Sequence, residues 1–279
     1  MTISTFDRGS LRFEVWKEGL DDGAPVILLH GFPQDAFAWD EIVPRLVQRG
    51  FRTFAPFQRG YSARARPPSA AAYVFDELRR DVLALADHEG LERFHLVGHD
   101  WGAVVAWVVA GADPERVLTL TSLSIPHPEA YRRAVTTSLQ ALRSTYIGFF
   151  ALPGVAERVL GARGGRLLRS LLNGVGVPDR HAERYAERLG SPEAMRTALN
   201  WYRALFTSQA RWTARPAEVP VLVVRGDRDP SVDPKAFELT AGLVRAPYRL
   251  EVIHGAGHWL PERHAAAVGE LLLEHLGAP

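Results

Sequence analysis

The sequence predicts an α/β protein in which a mostly parallel sheet is covered by helices on both faces. Short runs rich in Val, Ile and Leu alternate with longer segments of helical periodicity, the pattern of strands buried on both sides and joined by crossovers. Each apolar run stops at a loop containing Gly, Pro or His. With 279 residues, 47% hydrophobic and 23% charged, the chain has ordinary globular composition and the length of one large domain or a domain with a sizeable insert.

Taken in order, the strands are expected at 26–29, 52–55, 94–97, 117–123, 221–225 and 249–253. Helices are expected at 73–89, 103–111 and 262–276; in the first, Leu78, Val82, Leu85 and Ala86 fall at i, i+4, i+7 and i+8, one face of a helix. Between 126 and 215 the strand pattern disappears and the chain becomes helical, aromatic and dense in arginine, with Pro126, Pro128 and Pro216 at its borders. This divides the protein into a core of 1–126 and 216–279 and a helical cap of 127–215.

Charge and composition exclude several classes of function. The 33 Lys+Arg and 32 Asp+Glu leave a formal charge of +1, so the broad positive field that non-specific nucleic-acid binding needs is missing. Without cysteine, disulfides, thiolate metal sites and cysteine nucleophiles are impossible. The longest apolar stretch, 103–112, falls short of the roughly 20 residues a bilayer demands. Residues 1–13 lack the basic and apolar regions of a signal peptide. These features predict a soluble cytoplasmic protein, a monomer or homodimer with no membrane or nucleic-acid partner.

The strongest chemical signal is Gly98-His99-Asp100-Trp101-Gly102, set between an expected strand and an expected helix. Small residues at both ends permit a sharp, strained turn that lifts the central side chain above the sheet. Alone, an Asp before a helix is an ordinary cap; the glycines and the strand make it a nucleophile elbow. A carboxylate is already ionised at neutral pH and needs no base before it attacks. It can displace a leaving group at saturated carbon, whereas on an acyl substrate it would give only an anhydride, which argues against serine-type esterase chemistry.

Three further strand ends add to this. His30-Gly31-Phe32-Pro33 follows the first strand, where the backbone N–H groups of Phe32 and Trp101 are placed to form an oxyanion hole. Pro33 has no N–H to offer. Later, 221–225 runs into Gly226-Asp227-Arg228-Asp229 and 249–253 into His254-Gly255-Ala256-Gly257-His258. The chain order is nucleophile, acid, base. His258 is the expected base and Asp229 its partner; His254 is read as structural, and Asp227 as shaping its turn.

These residues resemble the α/β-hydrolase superfamily, and in particular the soluble epoxide hydrolases and haloalkane dehalogenases, which use an aspartate nucleophile. The resemblance runs from about Val26 to the C-terminus. It implies an α/β-hydrolase fold with a helical cap inserted after the sixth strand. It also implies a cofactor-independent, metal-free enzyme that opens an epoxide through an aspartyl ester. Tyr202, in Leu199-Asn200-Trp201-Tyr202-Arg203, matches the ring-opening tyrosine of epoxide hydrolases, and Tyr146 matches the second. An epoxide oxygen departs as a basic alkoxide, so two phenols that hydrogen-bond and protonate it are apt. A halide needs instead a cradle of N–H groups: Trp101 is present, but Phe32 stands where dehalogenases often carry a second donor, Asn. Trp101 also stands where fluoroacetate dehalogenases have arginine. Haloalkane dehalogenation and ligand binding without turnover are the alternative readings. Substrate contacts are expected from Trp101, Phe32, Trp201 and Phe150, with pocket size depending also on Trp107, Phe149 and Trp212. One departure from the family, Phe57-Gln58 before Arg59-Gly60-Tyr61, concerns loop packing.

Overall fold

The computed structural model describes residues 2–162, 164–207 and 215–278; Trp212 lies outside them. Eight strands, β1 (Thr2–Arg8), β2 (Leu11–Glu18), β3 (Ala24–Leu29), β4 (Phe51–Pro56), β5 (Phe94–His99), β6 (Val117–Leu123), β7 (Val221–Gly226) and β8 (Tyr248–Ile253), form one sheet. Its order is β1-β2-β4-β3-β5-β6-β7-β8. β4 to β8 run parallel with β3 among them, and β1 and β2 join antiparallel at one edge. The protein has the α/β-hydrolase fold that the elbow and its companion motifs imply.

Core helices are α1 (Val43–Gln48), α2 (Phe75–His88) and α3 (Trp101–Ala112). After β6 the described chain up to β7 holds seven helices: α4 (Pro128–Thr137), α5 (Gln140–Arg143), α6 (Thr145–Ala151), α7 (Val155–Leu160), α8 (Arg166–Gly174), α9 (Asp179–Arg188) and α10 (Pro192–Ala204). The core resumes with α11 (Pro234–Thr240), α12 (Leu260–Arg263) and α13 (Ala265–Leu276).

The six expected strands appear as β3 to β8, each within a residue or two of its expected bounds. β1 and β2 are the two the pattern did not announce. They form a hairpin turning at Gly9, φ +59, and bury chiefly Phe6, Phe13, Val15 and Trp16. The helix expected at 103–111 starts at Trp101, directly after the elbow, and the one expected at 262–276 is broken at His264 into α12 and α13. α3 is apolar on nearly every side because it lies fully buried, from Gly102 to Gly111 on most of its faces.

Parallel strands bring their C-terminal ends to one edge of the sheet. Leu29 pairs with Gly98, His99 with Leu123, and Gly226 with Ile253. The loops that follow β3, β5, β6, β7 and β8 therefore converge, which is where ligands bind in α/β sheets.

Candidate active site

Asp100 sits at the top of the turn between β5 and α3 with φ 51 and ψ −125. A non-glycine residue held there is strained, and close packing around the turn enforces it. A Cβ at Gly98 would lie 2.4 Å from the Gly102 carbonyl oxygen, and one at Gly31 would lie 2.4 Å from the Asp100 side chain. Glycine at these positions lets the β3 loop and the elbow touch.

That contact aims two backbone donors at one carboxylate. The Phe32 N–H donates to Asp100 Oδ1 at 2.9 Å, and the Trp101 N–H also hydrogen-bonds the Asp100 carboxylate. On the opposite oxygen, His258 Nε2 lies 3.4 Å from Asp100 Oδ2. His258 Nδ1 lies 2.7 Å from Asp229 Oδ2, while Asp229 Oδ1 accepts from the Ser231 N–H at 2.8 Å. The structure thus brings the Asp100, His258 and Asp229 side chains into one line, with Phe32 and Trp101 on the near side.

Electrostatics follow from this line. Burial disfavours charge on His258, but the Asp229 and Asp100 carboxylates outweigh it and hold the imidazole well above its ordinary value. Burial likewise pushes Asp100 and Asp229 up, and in both cases the His258 contact prevails and lowers them. The resting site is an imidazolium between two carboxylates.

Tyr146 on α6 and Tyr202 on α10 face the same space. Their rings are 6.4 Å apart at 78°. Burial pushes both phenols well above the ordinary value of 10.0, so both keep their proton; for Tyr202 the nearby Asp100 charge adds to this, and a hydrogen bond from the Trp101 side chain works against it. Two cavities meet at Asp100, Tyr146 and Tyr202. The narrow one, about 60 Å³, runs past Trp101, Phe75, Ile125 and Leu205. The wide one, about 240 Å³, runs past Phe32, Phe150, Leu168, Leu172 and Trp259.

Trp201 is placed differently from the expectation. It lines neither cavity: its indole N–H donates to the Arg59 carbonyl at 2.8 Å and its ring packs edge-on to Trp101. On α10 Tyr202 turns toward the cavities, while Trp201 is held toward Arg59 and Trp101 by these contacts. Trp107 is also structural, buried with its N–H on Ser122 Oγ at 3.0 Å. His254 bonds Asp227 at 2.9 Å on the surface, and His30 is buried, its proton affinity pushed down to about 3 by burial.

Sequence reasoning missed the groups that hold His258 from behind. The His258 carbonyl oxygen contacts His99 Nε2 at 2.9 Å and accepts from Ser124 Oγ at 2.8 Å. His99 Nδ1 in turn meets Gln34 Oε1 at 2.9 Å, and Gln34 Nε2 donates to Glu262 at 2.7 Å. His99 was visible inside the elbow motif; Gln34 and Glu262 carry no spacing signal. Among the described residues no cluster of three metal-ligating side chains occurs.

Comparison with known proteins agrees with the geometry. Residues 24–265 match the family model described as the alpha/beta hydrolase fold. Epoxide hydrolase A of Mycobacterium tuberculosis is 33% identical, over 97% of this chain and 95% of its own. The AB hydrolase superfamily protein YfhM of Bacillus subtilis is also 33% identical, over 92% of each. The crystal structure of epoxide hydrolase A from Mycobacterium thermoresistibile superposes with a TM-score of 0.87 at 27% identity, covering 99% of this chain and 98% of that one. With this fold, a family match over residues 24–265 and relatives of this kind, the chain belongs to the α/β-hydrolase family as an epoxide hydrolase-like member.

Proposed function

We propose that the protein opens an epoxide to a vicinal diol through a covalent ester on Asp100, with 127–215 acting as the cap that carries the two phenols over a core of 1–126 and 216–279. The observation that carries this reading is the position of one carboxylate: Asp100 contacts His258 and lines the cavities that Tyr146 and Tyr202 also line. A relative 33% identical bears the name epoxide hydrolase A, which supports it.

In the first step an Asp100 carboxylate oxygen attacks one epoxide carbon and forms a C–O bond. The carbon–oxygen bond of the ring breaks, and its electron pair stays on the ring oxygen. Tyr146 and Tyr202 hydrogen-bond that oxygen and one of them gives it a proton. In the second step His258, oriented by Asp229 and having passed its resting proton to the tyrosine phenolate once Asp100 is esterified, takes a proton from water, and the hydroxide attacks Asp100 Cγ. The Phe32 and Trp101 N–H groups, which point at the carboxylate in the resting site, stabilise the tetrahedral oxyanion. Collapse leaves Asp100 as a carboxylic acid; the proton on His258 passes to the departing oxygen to release the diol, and the acid's proton then returns to His258 and restores the resting carboxylate and imidazolium.

The experiment is intact-protein mass spectrometry of His258→Gln incubated with styrene oxide. The expected result is a stable adduct of the mass of the epoxide, located on Asp100, with no diol released, while Asp100→Ala gives neither adduct nor diol. A His258→Gln protein that forms no adduct with any epoxide the wild type opens overturns the ester mechanism. Halide release from haloalkanes by the wild type, with no diol from epoxides, would assign the site to dehalogenation.

A further inference from the structure

The cap surface around the wide cavity is apolar where water would ordinarily meet polar groups. On α7, Val155 and Val159 are 45% and 39% exposed; along and just beyond α8, Leu167, Leu171 and Val175 are 36%, 48% and 62% exposed. Residues four apart fall on one helix face, so these are two stripes. Val159, Leu171 and Val175 also line the wide cavity, which makes the stripes its lip. Single exposed aliphatic residues are normal; five gathered around a cavity mouth mark an interaction surface.

Among the described residues, the unpaired charge beside the stripes is positive. From Leu152 to Val177 the sequence contains Arg158, Arg163, Arg166 and Arg169 against Glu157 alone, a net of +3 in a chain of +1, which leaves −2 for everything else. Glu157 is taken by Arg203 at 2.7 Å, and Arg169 by Asp179 and Glu183. Arg158 and Arg166 are exposed and have no ion-pair partner among the described residues.

We propose that this face docks the protein on an anionic lipid surface, with the two aliphatic stripes at the boundary of headgroups and acyl chains and Arg158 and Arg166 among the headgroup phosphates. Amphipathic helices with basic residues beside an apolar face bind membranes in this way. A second copy of the chain fits the face poorly. A two-fold interface would set the unpaired Arg158 and Arg166 of one copy against those of the other, and it would plug the cavity whose lip the stripes form. In the docked arrangement the wide cavity opens toward lipid, from which an apolar substrate enters. The docking rests on the surface alone and stands whether or not the proposed reaction does.

Vesicle co-flotation tests it, with phosphatidylcholine vesicles and with vesicles containing phosphatidylglycerol. The wild type is expected to float with the anionic vesicles, to float less with the neutral ones, and to be released as salt screens the charges. Arg158→Gln with Arg166→Gln should lower partition onto anionic vesicles about 25-fold, from about 5-fold for each basic residue near the surface. Val155→Asp with Leu167→Asp, neither of which lines a cavity, should abolish flotation; melting curves matching the wild type exclude misfolding as the cause. A wild type that stays in solution with both vesicle types overturns the proposal, as does a dimer in sedimentation equilibrium that Val155→Asp with Leu167→Asp dissociates.

Discussion

His258 lies between two carboxylates, and this decides when it becomes a base. In the resting site Asp229 at 2.7 Å and Asp100 at 3.4 Å hold it protonated against the cost of burial. An imidazolium cannot take a proton from water. In the proposed reaction, esterification of Asp100 would remove one of the two anions, so the imidazole would lose part of what holds its proton and become available for the second step. The first reaction would thus arm the second. In the free protein, 15N NMR should find the His258 ring protonated well above pH 6.5, and Asp229→Asn should move its titration down, as should Asp100→Asn. Because the folded value is raised, the stabilisation from this ion pair is complete below about 6.5. It is lost as pH rises through the folded value, and Asp229→Asn should remove that alkaline decline in melting temperature. A His258 titration left in place by Asp229→Asn would show that Asp229 does not hold the proton.

At the scale of elements, α6 and α10 carry the phenols and the strand ends carry the rest. Tyr146→Phe and Tyr202→Phe keep both rings and remove only O–H groups. Each should slow ester formation by about 10²-fold, the lower range of general acid catalysis, without slowing ester hydrolysis. The double variant should be slower than either. Stopped-flow fluorescence of Trp101, whose ring lies 5.1 Å from that of Tyr202, can read the single-turnover rates; an unchanged rate in both single variants would remove the phenols from the reaction. The elements were unequally legible in the sequence. β3 to β8 are apolar runs with distinct ends, and parallel pairing brings those ends together whatever the details of packing, so Asp100, Asp229 and His258 could be picked from chain order. β1 and β2 escaped because an edge hairpin buries few side chains, and in Thr2–Arg8 only Phe6 is buried. Trp201 looked like a pocket residue, and its hydrogen bond to the distant Arg59 carbonyl, which no local pattern announces, holds it away. The support behind His258 joins positions 34, 99 and 262, which nothing local in the chain connects.

For the molecule as a whole, one face of α9 helps fasten the helical segment between β6 and β7 to the rest of the protein. His181, Arg184, Tyr185 and Arg188 recur at helical spacing and reach core groups. Arg184 donates to the Phe37 carbonyl at 2.7 Å, Tyr185 to Glu262 at 2.9 Å, and His181 lies 3.2 Å from Asp40. Beneath them Asp35 is fully buried, with Arg184 and Arg188 at 3.5 and 3.7 Å. Burial pushes the Asp35 carboxyl up, and the two arginines, with a smaller contribution from His181 and the Phe37 N–H, oppose it without cancelling it. An acid raised in the folded state binds more protons there than in the unfolded chain. Its contribution therefore turns against folding as pH rises from about 3.9, the unfolded value, through the folded value. Removing one arginine leaves the carboxylate with less compensation wherever it is ionised. Arg188→Met keeps an aliphatic stem and deletes the charged guanidinium, which lies over the Phe57 ring. It should cost about 1–3 kcal/mol at pH 7, the range for a buried polar group deprived of a partner, and less near pH 4, where the raised Asp35 carboxyl takes up more of its proton. Asp35→Asn, which can still accept from the Phe37 N–H, should flatten the dependence of stability on pH across this interval and abolish the difference between the two conditions for Arg188→Met. Urea unfolding at both pH values measures each quantity, and an Arg188→Met cost equal at pH 4 and pH 7 would mean that the buried acid does not link the cap to the core.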